Sequence, residues 1–206
     1  ICPNVSIEGP CFIGDHSPVQ PGAVLRDGMS IGPSCKIGGE AESSIIHGFS
    51  NKQHDGFLGH AYVAEWVNLA ADTVNSDLKN TYGAVRVPIN GVEVESDQTF
   101  VGLTVGDHSK TGIGQTFVTG AVVGFGVNIA TCSFAPKFVP SFSWVTDEGV
   151  SRYDPARCLE AAQRVMARRQ VAMTKAQQRL FERLPELALE LEINAPTRLD
   201  PVLTGS

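Results

Sequence analysis

The sequence predicts an all-β solenoid, a parallel β-helix, with an α-helical extension toward its C-terminal end. Three observations predict it. Aliphatic residues recur at every sixth position from the first: Ile1, Ile7, Ile13, Val19, Leu25, Ile31 and Ile37. Four positions after each stands a mostly small residue, in turn Val5, Cys11, Ser17, Ala23, Met29, Cys35 and Ala41. Glycine directly follows the aliphatic position at Gly14, Gly32, Gly38, Gly106 and Gly124. A period of six fits neither the 3.6 of a helix nor the 2 of a strand, and it is the signature of a β-helix.

Each hexapeptide supplies one short strand and one turn, so three close a triangular coil of about 18 residues. The aliphatic residue points into the prism and the small one fits beside the corner. Cys11 and Cys35 fill such small slots and read as packing residues. A coil buries its apolar side only against the coils above and below, so the assembly grows in one dimension. The pattern resumes at Val105, Thr111, Phe117, Val123 and Ile129, which sets the predicted coil domain at residues 1–135.

Between residues 43 and 100 the period weakens and polar residues collect. Ile46, Leu58, Val63 and Leu69 keep inward positions, although only five residues separate Leu58 from Val63. Residues 75–99 read as an excursion from the coil. Within it, VPINGVEVE predicts a hairpin turned at Asn90-Gly91. Residues 136–153, with PKFVPSFSW at their start, read as an extended strap laid on the coil. Asp154-Pro155 is a helix start, a capping side chain followed by proline at the first helical position. Leu159, Ala162, Val165, Met166 and Met173 give the apolar stripe of a helical extension over 154–192, with Pro185 as its stop. The tail 193–206 reads as poorly ordered.

The bulk composition excludes several functions. The chain of 206 residues is 42% hydrophobic and carries a formal charge of −6. That charge argues against nucleic acid as a partner, because such binding depends on neutralising phosphates. No apolar run reaches the length of a membrane span. Five scattered cysteines without a C-x-x-C pair point to reduced thiols in a cytoplasm, and to neither a disulfide framework nor a metal site. From Arg152 to Arg183 eight basic residues face three acidic ones. That local excess suits either a solvated helix face or a helix that lends charge to a phosphate-bearing ligand.

The stretch SNKQHDGFLGH, residues 50–60, gathers Lys52, His54, Asp55 and His60 in eleven positions. Together with the following AYVAEWVNLAADT it resembles the acetyltransferase half of the bifunctional sugar-1-phosphate nucleotidyltransferase / glucosamine-1-phosphate acetyltransferases. These belong to the hexapeptide-repeat acyltransferases, which fold as left-handed parallel β-helices and assemble as trimers. The resemblance rests on His54, Phe57, Leu58-Gly59, Val67-Asn68-Leu69 and Ala70-Ala71-Asp72-Thr73, and it extends over residues 1–135. It implies an acetyl-CoA-dependent acyltransferase acting on an amino sugar or sugar phosphate.

In that reading His54 is the general base, since a protonated amine is no nucleophile and imidazole titrates near working pH. Phe57 and Asn68 would contact the sugar, with Asn75 and Asp77 as further contacts. Lys52 and Lys79 would bind phosphate. Ala70, Ala71, Lys110 and Ala130 would line the coenzyme groove. The resemblance departs at two positions: the family's phosphate-binding arginine and lysine align with Gln20 and Glu42, which cannot hold a phosphate dianion. The start of the chain, already in phase, suggests a nucleotidyltransferase domain upstream. The alternative reading is a non-catalytic module that trimerises or regulates such an enzyme.

Overall fold

The computed structural model describes residues 1–192; the tail expected over 193–206 lies outside the described residues. The prediction of a left-handed parallel β-helix holds, with about eight turns and two C-terminal helices. Successive two- and three-residue strands enter three sheets in rotation. In the first sheet Ile7 pairs with Leu25, Leu25 with Ala41 and Ala41 with Leu58. The second stacks Ile13, Ile31, Ile46, Val63, Val105, Val123 and Val139 in one column. The third runs from Ile37 through Lys52 and Leu69, and later through Thr111, Ile129 and Val145. These columns are the hydrophobic core.

The lost phase between residues 43 and 100 has a geometric cause: the coils there are slightly shorter than 18 residues, yet the ladder still brings an inward residue under each inward residue. Ile46, Leu58, Val63 and Leu69 are all buried. The excursion begins one residue later than the sequence suggested. Asn75 still belongs to the coil, paired with Phe117, and the chain leaves after it. The hairpin is present as Arg86–Ile89 against Val92–Glu95, and Asn90 and Gly91 both hold the positive φ of its turn. The coil closes over this insertion, since Tyr62 pairs with Thr104 as directly as with Ile45.

The small slots have a further role at the corner between the second and third sheets. Ser17, Ser50 and Ser109 each donate a hydroxyl to a carbonyl of the next coil and accept an N–H from that same coil. Ser50 Oγ bonds the Ala64 carbonyl at 2.6 Å and receives the Val67 N–H at 2.9 Å; Ser109 does the same with Gly124 and Val127. The glycines after the inward position let the coils approach. A Cβ on Gly14 would lie 2.6 Å from the backbone of Gly32, and one on Gly32 would lie 2.7 Å from that of Gly48.

Two expectations need correction. Residues 136–153 are no strap. Phe138–Val139 and Ser143–Thr146 add a last coil in parallel register, and Gly149–Arg152 folds back antiparallel on the latter. The prolines at 136 and 140 flank the first of these strands, so neither removes a ladder bond. Nor does Pro185 end a helix. Helix α1 (Pro155–Arg168) begins at Asp154, whose carboxylate accepts the Ala156 N–H at 2.8 Å. Helix α2 (Lys175–Leu191) follows a Thr174–Gln177 capping box and contains Pro185. Packing outweighs the lost helical bond there: Phe181, Leu184 and Ala188 of α2 close on Phe142, Phe125 and Cys158.

This second cluster roofs the corner where Phe49, Trp66, His108, Gly126 and Phe142 occupy successive left-handed turn positions. Phe49 stacks on Trp66 at 4.2 Å, and the buried His108 ring meets Phe125 and Phe181 edge-on. Burial drives the His108 pKa down to about 3, so this ring is neutral. If the serine bridges bind the coils together, Ser50→Ala will lower the unfolding free energy by about 1–3 kcal/mol. Denaturant unfolding measures this, and a shift near zero would assign the slot to volume alone.

Candidate active site

Sequence reasoning put Lys52 in the phosphate site. The structure puts it inside the prism, in the aliphatic column between Ile37 and Leu69, 1% exposed. Its ammonium donates to the carbonyls of His54 at 2.5 Å, Asp55 at 2.9 Å and Gly38 at 3.4 Å. All three protons are spent, so Lys52 cannot hold a ligand phosphate. It holds instead the backbone of the loop that carries His54.

That loop turns the corner from the third sheet to the first. The His54 ring is exposed there, without a side-chain partner among the described residues. The next coil lies against it, since Asp72 N–H donates to the Asp55 carbonyl at 3.0 Å. Ala70 and Ala71 therefore sit one coil away from His54. The Ala70 N–H is already given to Thr111 Oγ1 at 2.9 Å, so Ala70 offers no donor to a thioester oxygen. Ala130 is exposed at the end of its strand, two coils further on and packed beside Gly112.

At the opposite end of the Phe57–Gly59 strand the chain builds a second cluster. His60 takes the left-handed corner position, and its Nδ1 lies 2.8 Å from Asp77 Oδ2. Phe100 stacks on the imidazole at 5.1 Å. Gly59 makes the cluster possible: a Cβ there would come within 2.4 Å of Asp77 Oδ2 and 2.5 Å of the Phe57 ring. Phe57 and Asp77, both read as sugar contacts, thus lie beside Gly59, around a histidine the site reading omitted. Its signal was legible, because His60 follows Leu58-Gly59 where the resembling family has an acid.

Asn75 needs correction, being buried beneath Gly59. Its side chain accepts the Gly59 N–H at 3.0 Å and donates to the Gly59 carbonyl at 2.9 Å, which replaces a ladder pairing. It touches no open site. Lys79 is also turned inward on its own loop, donating to the Ala84 carbonyl at 2.5 Å.

Glu42, at one of the two phosphate positions, has a partner invisible in linear sequence. Arg26 lies in register with Glu42 on the outer face of the first sheet and pairs with both Glu40 and Glu42. Its Nε is buried and unpartnered. The guanidinium is spent on these two carboxylates, so the face offers a phosphate dianion no net positive charge. Glu42, His60 and Asp77 each offer a possible metal-ligand atom within 4.8 Å of one another. Arg26 already neutralises Glu42, and His60 and Asp77 are paired, so the cluster is satisfied internally.

Asn68 and Lys110 lie elsewhere, on the outer face of the third sheet. With Lys36 and Asn51 they form one stacked column. Asn51 donates to Asn68 at 3.3 Å, and Lys110 donates to the His108 carbonyl at 2.8 Å. The predicted residues therefore divide among the His54 corner, the His60 corner and this face.

No family model matches the chain. It is 32% identical over 111 residues to a bifunctional sugar-1-phosphate nucleotidylyltransferase/acetyltransferase of Sulfurisphaera tokodaii, covering 54% of this chain and 27% of that protein. It is 30% identical over 139 residues to the bifunctional protein GlmU of Synechococcus elongatus, covering 66% and 27%. The chain resembles the bifunctional nucleotidylyltransferase/acetyltransferases. The resemblance read from the repeat and from residues 50–73 is thereby borne out. The chain spans about a quarter of the length of these curated relatives. Among solved structures, a mutant of AntD, an N-acyltransferase from Bacillus cereus in complex with dTDP-4-amino-4,6-dideoxyglucose and Coenzyme A, gives a TM-score of 0.37. It is 15% identical and covers 89% of this chain and 86% of that one; so weak a likeness carries no argument. Among the described residues no helix is long and apolar enough to cross a membrane.

Burial lowers the Lys52 pKa from its ordinary 10.5 to about 8, against an opposing pull from Asp55 and Asp72. Between these two values the unfolded chain keeps a proton that the folded chain has released. The cost of burying the cation is full below about pH 8 and fades as pH rises toward 10.5. Wild type will therefore gain stability relative to Lys52→Met between pH 8 and pH 10, as read by denaturant unfolding at each pH. A stability difference that ignores pH would mean that the lysine keeps its ordinary proton affinity.

Proposed function

We propose that the chain is an acetyl-CoA-dependent acyltransferase of an amino sugar or sugar phosphate, with His54 as general base. The observation that carries this reading is the loop held by Lys52. A cation is buried in an aliphatic column, at a cost in desolvation, and its three donors fix the backbone on which His54 is displayed. The similarity to proteins named acetyltransferases supports the same assignment.

The chemistry follows from the residues. The His54 imidazole takes a proton from the acceptor amine as its nitrogen attacks the thioester carbonyl. The tetrahedral intermediate collapses with loss of the coenzyme thiolate, which is protonated. Ala71 and Ala130 border the coenzyme. At the other end of the strand, Asp77 fixes His60 through Nδ1, which leaves Nε2 to meet a sugar hydroxyl over the Phe57 ring. The cellular site is the cytoplasm, where acetyl-CoA and reduced thiols coexist, and an upstream nucleotidyltransferase domain completes the protein.

A second reading, a non-catalytic trimerising or regulatory module, has one observation in its favour. The outer face of the second sheet exposes Phe12, Ile45 and Tyr62 in one column, with Ser30 between the first two, a largely apolar strip suited to a homotrimer interface. Incubation with acetyl-CoA and a panel of amino sugars and their phosphates, followed by mass spectrometry, separates the readings. Acetylated product is expected, falling by about 10²–10⁴ in rate for His54→Ala. His60→Ala should raise KM more than it lowers kcat. A trimer by light scattering that yields no product with any acceptor would establish the second reading.

A further inference from the structure

The roof that α2 lays over the corner between the second and third sheets leaves a cavity of about 150 Å³ beneath it. None of the residues placed at the His54 loop or the His60 corner lines it. Its floor is made of rings and thioethers. Trp66, His108 and Phe181 are buried there; the first two rings lie 6.2 Å apart and His108 meets Phe181 at 4.9 Å. Met166 of α1 and Met173 of the link between the two helices complete the floor.

The rim is anionic. Glu65 and Asp107 hold the same corner position on successive coils: the Glu65 carbonyl accepts the His108 N–H at 3.0 Å, and the Asp107 carbonyl accepts the Gly126 N–H at 2.9 Å. Glu65 is exposed and Asp107 half-buried. Neither is in an ion pair among the described residues, and no lysine or arginine lines the cavity. Two carboxylates one coil apart repel each other, more strongly where water is excluded. Burial accordingly raises the Asp107 pKa, against the opposing pull of the Glu65 N–H and of His47. His47 itself stands outside the cavity. The buried Nδ1 of His108 has no hydrogen-bond partner among the described residues, which leaves a polar atom of this wall unsatisfied.

These walls select an occupant by chemistry. The rim rejects an anion. The floor rejects a sugar, whose hydroxyl groups would be buried unpaired against rings. A hydrocarbon would fill the floor and leave the two charges unmatched. A dry cavity of about this volume accepts benzene, so the apolar body is limited to the size of one six-membered ring. We infer that the cavity binds a small protonated amine, with its apolar body among Phe181 and the two methionines and its ammonium at Glu65 and Asp107. The inference is independent of acyl transfer. Its occupant would tie α2 to the coils, because Phe181 belongs to the helix and both carboxylates belong to the solenoid.

The chain supplies its own reporters. It contains three methionines; Met166 and Met173 line the cavity, and Met29 lies in the coil core. The test is an NMR titration of the full chain, labelled at the methionine methyl groups, with benzylamine, benzyl alcohol and benzoate at neutral pH. Saturable shifts are expected at Met166 and Met173 and none at Met29. Benzylamine should bind about tenfold tighter than benzyl alcohol, and benzoate should leave all three resonances in place. The double variant Glu65→Gln, Asp107→Asn is titrated in parallel; its asparagine keeps an acceptor for the residue 65 N–H. It should weaken benzylamine about tenfold and leave benzyl alcohol unchanged, with an unmoved Met29 resonance showing that the coil is retained. Shifts at neither cavity methionine with any probe, or equal shifts at Met29, overturn the site. Benzylamine binding no tighter than benzyl alcohol, binding of benzoate, or amine affinity intact in the double variant overturns the assignment of a cation.

Discussion

Everything in this molecule depends on the parallel ladder between coils. A strand of two or three residues can stabilise nothing alone, and its N–H and C=O groups find partners only in the coils above and below. The ladder therefore dictates the register, and the register stacks side chains from distant parts of the chain. Inside the prism the columns are mostly aliphatic, and their polar members Lys52, Asn75 and Thr111 are hydrogen-bonded to the chain. At the corners the chain must turn within a few residues, and it does so through left-handed positions held even by Phe49, Trp66, His60 and His108. Side chains rarely take that conformation without compensation. Here the compensation is stacking, on the coil neighbours or beneath α2.

The same rule creates the polar features. Lys36, Asn51, Asn68 and Lys110 are scattered over seventy-odd positions yet share one face because the ladder aligns them. Arg26, Glu42, His60 and Asp77 converge for the same reason. Such columns are cheap for a solenoid, since one residue per coil suffices. They are also demanding, because a strand that slips by one residue in the ladder turns its outward side chain inward.

The fold was legible because the repeat of six is a property of the linear sequence. Three things were not. The last coil was read as a strap, since Pro136 and Pro140 suggested a break and fell instead at strand ends. Pro185 was read as a stop because local propensity ignores the apolar contacts of Phe181 and Leu184. Lys52 and Asn75 were read as ligand residues from the resemblance and their polarity. Their burial follows from register, in the columns of Ile37 and Leu58, and counting by six loses that register where coils shorten. The nearness of His60 to Gly59 was legible in the motif. The site was illegible where it rests on a neighbour from another coil, as with Arg26 beside Glu42.

The excursion between Asn75 and Thr104 leaves the stacked columns unbroken. Its ends are joined by the Val101 N–H to the Asp77 carbonyl at 2.9 Å, and Tyr62 meets Thr104 as though nothing intervened. Closing a longer loop costs only the logarithm of its length, about 0.6 kcal/mol for each doubling. The spine and the insertion can thus change on separate evolutionary clocks. Lineages can lengthen, shorten or redecorate the loop above the His60 corner while inheriting the same prism beneath it.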